Sequence, residues 1–407
     1  MFINLRPLKE YRDYRLLFMS QVVSFLGSMV SYVAIPYQVY ELTKDNWLVG
    51  MLGIVQLVPV LIFGILGGTY ADRLNRRKLL LVSEFLMSVI VLGLAVNASM
   101  PSPSVATTFV LVALMQAVLG FHRPAMDALT QKLVQKKDYA AVGALGSFRY
   151  SAGAIMGPAL GGLLISQFGI KGAFIFDFLT FAAAFVFLLM MSRMPDPDRR
   201  DASPWEDMKS GLKFAVSKPE LIGTYVIDIV AMIFAFPVAL FPAMSEQWGG
   251  AKAAGLLFSA MAVGSLVITV FSGWTSKVTH HGRGVVIAAT LWAVFIIGVG
   301  QTDHLWVALS FLALAGAADM MSGLFRGIIW NETVPNDMRG RLSGIEMISY
   351  MSGPLLGNAR AGWMAAKYSV PFSLSAGGVI CTIAVIVTAF CLPKFWRYRG
   401  SEHKVQV

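Results

Sequence analysis

Apolar stretches long enough to cross a membrane follow one another along the whole chain, separated by short polar segments. A helix of about 20 apolar residues spans the ~30 Å hydrocarbon core of a bilayer. The composition agrees, since 56% of the 407 residues are hydrophobic and 14% are charged, against about 25% charged in ordinary soluble domains. The sequence therefore predicts an all-α membrane protein with twelve transmembrane helices. Hydropathy places them near residues 16–40, 47–71, 79–98, 104–122, 141–167, 172–192, 219–243, 253–275, 284–302, 305–328, 343–366 and 372–393.

Lysine and arginine residues alternate between rich and poor loops. Cytoplasmic loops keep an excess of these residues, so the rich loops mark the cytoplasmic side and place both termini there. The net charge of +10 therefore reflects orientation in a lipid bilayer, and nucleic acid is not expected as a partner. The rich loops hold Arg73–Lys78, Lys132–Lys137, Arg193–Lys218, Lys277 with Arg283, and Arg339 with Arg341; the poor loops hold Lys44, Lys171, Lys252 and Lys367.

One polar stretch is much longer than the others and divides the chain in two. It runs from Arg193 to Lys218, begins with prolines and charges, and continues with Trp205, Met208 and Leu212 near helical spacing. Such a segment is typical of an amphipathic helix on the membrane surface. We therefore predict an N-terminal six-helix bundle at 1–192, a cytoplasmic linker with an amphipathic helix at 193–218, and a C-terminal six-helix bundle at 219–407.

The turn between the second and third spans carries one acid among several bases. Its spacing resembles the loop signature of the major facilitator superfamily, with Asn75 where glycine is usual. Asparagine also tolerates a left-handed turn, so this departure is mild. The resemblance implies a gating loop that meets the start of the eleventh span and latches the two bundles. The predicted gating residues are Gly68, Asp72, Arg73, Arg76 and Arg77.

Small residues recur every four positions in the fifth span, where they allow another helix to approach closely. The segment is either a packing face or the fifth-helix signature of exporting antiporters, which it resembles, and Gly353–Gly362 in the eleventh span is similar. Together with Pro124–Ala125 and Gly340–Gly344, these motifs identify the chain as similar to the drug:proton antiporter-3 group, and within it to the enterobactin (siderophore) exporter subfamily. The predicted antiporter motif consists of Gly153, Gly157, Pro158 and Gly161, preceded by Arg149.

Two acids at membrane depth are the predicted proton-coupling residues. Asp228 lies in the seventh span, and Asp319 lies in the tenth, seven residues before Arg326 on nearly the same helical face. A buried charge costs several kcal/mol unless it is paired or neutralised. Asp228 and Asp319 are therefore either structural carboxylates held by hydroxyl groups or by Arg326, or proton carriers.

The cavity of such a transporter is lined by its first, fourth, seventh and tenth helices, as the resemblance implies. Arginines would supply counter-charge to an acidic siderophore. A cationic drug would instead favour Asp228 and Asp319 beside Tyr32, Met115, Met232, Phe236 and Phe325. The predicted cavity residues are Gln21, Ser24, Ser28, Tyr32, Gln116, Arg149, Arg326 and Arg360, with Ser31 on the same face.

Three further acids carry weaker predictions. Asp177 in the sixth span is expected to be bonded locally. Glu84 and Glu346 lie near cytoplasmic helix ends, where surface charge networks are the expected role.

Enzymatic activity is not expected, because the chain has no Walker A sequence, no zinc-type Cys or His spacing and no nucleophile elbow. No metal and no cofactor are predicted. We expect a monomeric, multi-pass exporter in the inner membrane of a bacterium, moving a small organic molecule by alternating access in exchange for protons, with a siderophore-like substrate favoured. The alternatives are a multidrug efflux antiporter, an uncoupled releaser of lipid or metal, and a non-transporting sensor with the same fold.

Overall fold

A computed structural model describes residues 4–193, 204–335 and 338–400, with side chains except those of 65–73, 204–208, 276, 340–341, 343–345 and 347–348. Helices and short 3-10 turns make up the regular structure of these residues, and they contain no strand. The predicted helical class is confirmed. The helices are α1 (Arg6–Glu10), α2 (Arg12–Thr43), α3 (Asn46–Arg73), α4 (Arg76–Ala98), α5 (Val105–Leu133), α6 (Tyr139–Leu189), α7 (Pro204–Ser217), α8 (Pro219–Ala235), α9 (Phe241–Glu246), α10 (Ala251–Val270), α11 (His281–Gly300), α12 (Leu305–Thr333), α13 (Arg339–Lys367), α14 (Val370–Cys391) and α15 (Pro393–Trp396).

Ten helical segments of the described chain are long and apolar enough to cross a membrane. One of them contains α6, which is two helices joined at a kink. The kink lies at Gly169, whose φ of 70° belongs to the left-handed region that glycine enters without a steric penalty. The predicted gap between the fifth and sixth spans, residues 168–171, contains this glycine.

The fourth span extends beyond its predicted end. Hydropathy ends this span at His122, yet α5 continues through Pro124 to Leu133. Proline removes one backbone hydrogen bond from the helix, but the following turns are anchored because Ala125 and Leu129 are fully buried. Packing therefore outweighs the proline, and His122 lies inside a helix.

The seventh span is broken rather than continuous. The span predicted over 219–243 lies within the candidate membrane segment Pro219–Glu246, but it is not one continuous helix, because α8 ends at Ala235 and a 3-10 turn precedes α9. Phe236 has an extended backbone, with φ −80° and ψ 119°. The residue before a proline is driven out of the helical region by the proline ring, and Pro237 has this effect here.

Asn75 does not adopt the left-handed conformation that its place in the loop signature suggests. Its φ is −62° and its side-chain Oδ1 accepts a hydrogen bond from the Lys78 backbone N–H at 3.2 Å. Asparagine is here the N-cap of α4, a position that it favours because it satisfies a free backbone donor.

The chain divides into two compact units. Unit 1 consists of Met1–Lys44, Val55–Ala202 and Ser245–Ser259, and unit 2 consists of Asp45–Ile54, Ser203–Met244 and Ala260–Val407. Most of α3 therefore belongs to unit 1, whereas its first turns belong to unit 2.

The core of unit 1 forms where α2, α4, α5 and α6 meet. One buried cluster joins these four helices, and a second packs Tyr14 and Phe18 of α2 against Val134 and Leu145. Side chains that are fully buried against one another hold the bundle through apolar contact. The first cluster contains Leu17, Leu80, Ala125, Leu129, Leu188 and Met191.

The small-residue stripe of α6 lies directly against α2. A methyl group added at Gly153 would overlap with the Phe25 ring, and one added at Gly157 would overlap with Met29. At Gly161 the added carbon would lie 3.2 Å from the Val30 Cα. The predicted packing role of this stripe is thus visible, because only glycine allows the two backbones to approach so closely.

Unit 2 has its own packed helices. Leu221 of α8 and Leu342 of α13 are fully buried together with Ala215 and Val334. Ala215 of α7 belongs to this cluster, so one face of α7 packs against the other helices of unit 2. Leu212 and Val216 of α7 are exposed, as expected of a helix with one face at a membrane surface.

Candidate functional site

Arg326 stands between two acids in unit 2. Its Nη1 forms an ion pair with Asp228 Oδ1 from α8, and its Nη2 lies 3.8 Å from Asp319 Oδ1. Asp319 and Arg326 share a face of α12, because seven residues make about two helical turns. The predicted pair of acids is therefore brought together with Arg326.

The members of this acid–arginine cluster differ in their access to solvent. The side chain of Asp228 is 8% exposed, that of Arg326 is 22% exposed and that of Asp319 is 40% exposed. Asp228 is fixed by a close ion pair, whereas Asp319 has a looser contact and more open surroundings. Of the two carboxylates, Asp319 is the better placed to exchange a proton.

The cluster contains more acid than base. Glu346 of α13 is half-buried and close enough to interact electrostatically with both Arg326 and Asp228. Three carboxylates around one guanidinium would carry excess negative charge, which is costly away from water. Binding of a proton would reduce this excess. Glu346 was predicted to join a surface charge network; it is half-buried, and its neighbours Arg326 and Asp228 were not predicted.

Arg149 in unit 1 has a different environment. Its guanidinium lies over the Phe25 ring at 5.6 Å, and that ring stacks on Tyr150 at 5.5 Å with an interplanar angle of 29°. Its buried Nε has no hydrogen-bond partner, and no ion pair of Arg149 is found among the described residues. Asp127 of α5 is an electrostatic neighbour of Arg149, and Arg123 is a neighbour of both.

The third predicted arginine, Arg360, is engaged with backbone groups. Its guanidinium donates to the carbonyl oxygen of Ile233 at 3.2 Å and to that of Ser373 at 2.9 Å. Nearby, the Asn358 Oδ1 accepts a hydrogen bond from the Ala239 N–H at 3.0 Å. These two α13 side chains satisfy backbone groups around the break in the seventh span and at the start of α14.

The polar residues predicted on α2 mostly bond within the protein. Ser24 and Ser28 donate to carbonyl oxygens one turn earlier in α2, and Ser31 donates to Asp177. Gln21 is half-buried, and Tyr32 is 41% exposed with its ring edge against Phe258 at 5.2 Å.

The remaining predicted residues lie elsewhere. Gln116 donates to Gln56 at 3.1 Å. Met232 and Phe325, considered for a cationic drug, are buried and pack within unit 2.

The gating residues are only partly described. The described side chains exclude residues 65–73, and therefore Gly68, Asp72 and Arg73. The latch that these residues were predicted to form lies outside the described residues. Arg77 donates to the carbonyl oxygens of Leu188 at 3.2 Å and Leu189 at 3.0 Å. It thereby caps the end of α6. The Arg76 side chain is half-buried at the start of α4.

Two side chains of unit 1 have a role that the sequence did not predict, namely Glu84 and His122. Glu84 is 3% exposed and bonded to the His122 Nε2 at 3.0 Å, so its predicted surface role is wrong. His122 was not singled out, although a histidine at the end of a predicted span was the available signal. Asp177 is fully buried and bonded to Ser31 and Thr180, which agrees with the expected local bonding.

No group of three or more potential metal ligands occurs among the parts of the chain that the structure describes. The sequence as a whole matches a family model described as "Transmembrane secretion effector" over residues 4–403. Because the match spans nearly the entire chain, it bears on both units.

Curated relatives point in the same direction. The chain is 25% identical to an enterobactin exporter of Shigella boydii over 410 residues, covering 99% of this chain and 97% of the relative. It is 26% identical to an enterobactin exporter of Salmonella typhi, covering 98% and 97%. The similarity predicted from the motifs is confirmed.

Solved structures show the fold. A bacterial homologue of the human lysosomal transporter Spinster superposes with a TM-score of 0.74 at 15% identity, covering 96% of this chain and 98% of that one. The nucleoside transporter NupG superposes with a TM-score of 0.73 at 12% identity, covering 95% and 99%. At such identities the likeness concerns architecture alone.

Proposed function

Because this chain belongs to the transmembrane secretion effector family of membrane transporters, we propose that it exports a small organic molecule in exchange for protons. The observation that carries the proposal is Arg326 held between Asp228 and Asp319. Ionisable groups inside transmembrane helices commonly mark proton and substrate pathways.

The proton step follows from the difference between the two acids. A proton from the outside binds the Asp319 carboxylate, which is the more exposed of the two, and one unit of excess negative charge is removed. Arg326 remains paired with Asp228, so no buried charge is left alone. Release of the same proton to the cytoplasm restores the charge, and this cycle can be coupled to movement of substrate outwards.

A siderophore-like substrate is favoured over a cationic drug. Of the two carboxylates that a drug cation could contact, Asp228 is already engaged by Arg326. The relatives in Shigella boydii and Salmonella typhi are named as enterobactin exporters. Multidrug efflux is the alternative, with Asp319 as the group that a cation would contact.

The membrane topology is also part of the proposal. The ten candidate spans count α6 once, and the kink at Gly169 divides it into two helices. The 29 residues of α13 extend over about 43 Å, which exceeds the thickness of the hydrocarbon core. With these two additions we propose twelve spans, and from the basic loops and the bacterial relatives we propose cytoplasmic termini in a bacterial inner membrane.

The test uses proteoliposomes whose lumen is about one pH unit more acidic than the bath, a driving force of about 1.4 kcal/mol per proton. Radiolabelled enterobactin is expected to accumulate in the lumen and to leave when an uncoupler is added. Asp319→Asn should lower this accumulation about tenfold or more while leaving exchange of substrate across the membrane intact, because exchange requires no net proton movement.

Glu10→Gln is the matched control, since Glu10 is an exposed acid paired with Arg6 at 2.7 Å. Undiminished accumulation by Asp319→Asn and Asp228→Asn would remove the cluster from proton coupling. Accumulation that is unaffected by the uncoupler would favour an uncoupled releaser of lipid or metal. No movement of enterobactin, with proton-driven movement of a cationic dye, would favour multidrug efflux; no transport at all would favour a sensor.

A further inference from the structure

We propose that Arg149, Phe25 and Tyr150 form a recognition site in unit 1 for an aromatic anion. This inference rests on the proposed export function and specifies the substrate class and the residues that recognise it.

The first step of the argument is a comparison of three arginines at membrane depth. Arg326 is paired with acids, and Arg360 is bonded to backbone carbonyl oxygens. Arg149 has neither type of partner among the described residues; its buried Nε lacks a hydrogen bond, as does that of Arg326, but Arg326 has its ion pairs in addition. A guanidinium remains charged in proteins and requires an acid, a carbonyl oxygen or an anionic ligand. An anionic ligand would meet this requirement at Arg149.

The second step is the shape of the surroundings. The Arg149 guanidinium lies over the face of Phe25, and Phe25 stacks on Tyr150. The Tyr150 ring is 62% exposed, so a large aromatic surface borders the charge. Aromatic rings favour offset stacking or edge contacts with other rings. A ligand that combines a ring with an acidic group could therefore use both features of the site.

The third step is the position of Phe25. The ring lies against Gly153 of α6, where any side chain would overlap with it. The first glycine of the predicted antiporter motif thus leaves room for the Phe25 ring beside Arg149, in addition to allowing α2 and α6 to pack. Gly153 is a positioning residue of the site and does not itself contact a ligand.

The fourth step concerns nearby charge. Asp127 is an exposed acid within electrostatic reach of Arg149, but it forms no ion pair with it in the described chain. It would repel an anion that binds beside Arg149. Asp127 therefore weakens the affinity of the site for an anion, which suits a transporter that must release its substrate.

The experiment measures equilibrium binding of radiolabelled enterobactin to the purified full-length protein without a proton gradient. Competing ligands are 2,3-dihydroxybenzoate as an aromatic anion, succinate as an aliphatic anion and tetraphenylphosphonium as an aromatic cation. The site predicts competition by 2,3-dihydroxybenzoate that exceeds the competition by the other two.

The variants separate charge from stacking. Arg149→Gln should weaken enterobactin binding about tenfold or more, because a charge-assisted contact is lost. Arg149→Lys should recover part of it, Phe25→Leu should weaken it about fivefold by loss of stacking, and Asp127→Asn should strengthen it. Arg283→Gln is the matched control, because Arg283 lies over Trp396 at 5.6 Å in unit 2.

The proposal is overturned if Arg149→Gln binds as the wild type does, if tetraphenylphosphonium competes better than the aromatic acid, or if the wild type binds no aromatic anion. Asp319→Asn distinguishes this inference from the proton mechanism. It should retain binding while losing accumulation driven by the gradient. If Asp319→Asn accumulates normally but Arg149→Gln does not bind, proton coupling at Asp319 fails and the recognition site stands.

Discussion

The two units hold their charged groups within the membrane helices in different ways. In unit 2, Arg326 is surrounded by acids. In unit 1, Arg149 lacks an ion pair among the described residues, and the buried acids are held by groups that carry no permanent charge. Asp177 is bonded to hydroxyl groups.

Glu84 in unit 1 is bonded to a histidine. An arginine keeps its charge under all ordinary conditions, whereas histidine gains or loses a proton near neutral pH. The comparison supports the two proposals made above: that unit 2 binds a proton without losing its internal ion pair, and that Arg149 of unit 1 interacts with an external anion.

The largest effect should come from the permanent ion pair in unit 2. Arg326→Gln leaves the buried Asp228 carboxylate without its counter-charge, and breaking a buried pair from one side costs about 3–5 kcal/mol. Thermal unfolding in detergent should show this loss, whereas Arg149→Gln should change stability little. The double variant Asp228→Asn with Arg326→Gln should recover part of it. Equal losses for the two arginine variants would remove the contrast between the units.

The next effect is steric. A methyl group at Gly27 would overlap with Thr180 and Asp177 in the buried hydroxyl cluster of unit 1, so Gly27→Ala should cost about 1–3 kcal/mol. Gly323 is the matched glycine in unit 2, because an added carbon would meet nothing nearer than the Arg326 Nη2 at 3.9 Å.

Gly323→Ala should be neutral, or should stabilise α12 by up to about 1 kcal/mol through helix propensity. Unfolding curves of the two variants check both expectations. A Gly27→Ala protein as stable as Gly323→Ala would show that the side chains around Asp177 shift to accommodate the methyl group at little cost in free energy.

A smaller effect is expected at the histidine-paired acid. Glu84→Gln removes the buried carboxylate and keeps a hydrogen-bonding side chain beside His122. The cost should be about 1 kcal/mol, as for one altered hydrogen bond. Thermal unfolding compared with that of Arg326→Gln measures the difference. A loss as large as that of Arg326→Gln would show that the Glu84–His122 contact contributes as much to stability as the arginine pair of unit 2.

The smallest effect concerns two tyrosines outside the spans, one in each unit. Tyr11 donates to Asp138 at 2.8 Å, and Tyr398 donates to Glu332 at 2.8 Å. Burial, followed by the bond to Glu332, raises the pKa of Tyr398 to about 12. The bond to Asp138, followed by burial, raises the pKa of Tyr11.

For Tyr398 the raised pKa means that its contribution to stability is complete below about pH 10, the unfolded pKa of tyrosine. The contribution is then lost as pH rises through about 12. Absorbance titration of tyrosinate should show a late-ionising group that disappears in Tyr398→Phe, and Tyr11→Phe is the corresponding variant of unit 1. Ionisation of Tyr398 near pH 10 would show that its side chain is not held in the partly buried position beside Glu332.

Much of the acid cluster could be predicted from sequence. Asp319 and Arg326 fall on one face of a helix because their spacing is two turns, and this periodicity is a local property. The pairing of Arg326 with Asp228 could only be offered as one of two possibilities, because it depends on how α8 and α12 pack. Arg360 shows the limit more clearly, since its partners come from two other helices: the Ile233 carbonyl oxygen, near the break at Pro237, and the Ser373 carbonyl oxygen, in the first turn of α14.

In unit 1, too, two residues could not be interpreted from their local sequence alone. His122 was expected at the end of a span, because a span was predicted to stop near Pro124. The helix continues past the proline because Ala125 and Leu129 are buried, so His122 lies inside it. Asn75 tolerates a left-handed turn in principle, yet here it caps α4 with an ordinary φ. Local propensity identifies the residue, and the neighbouring helix decides its conformation.

By itself, the sequence determined that this chain is a helical membrane protein, which side of the membrane its basic loops favour, and which family it resembles. These properties follow from hydropathy, charge and short motifs, and each can be evaluated within a single segment. Only the tertiary structure decided which of three arginines, Arg149, Arg326 and Arg360, already has partners. The reason is physical: a charge in a membrane helix is satisfied by atoms from other helices, and these atoms are brought near it only by packing.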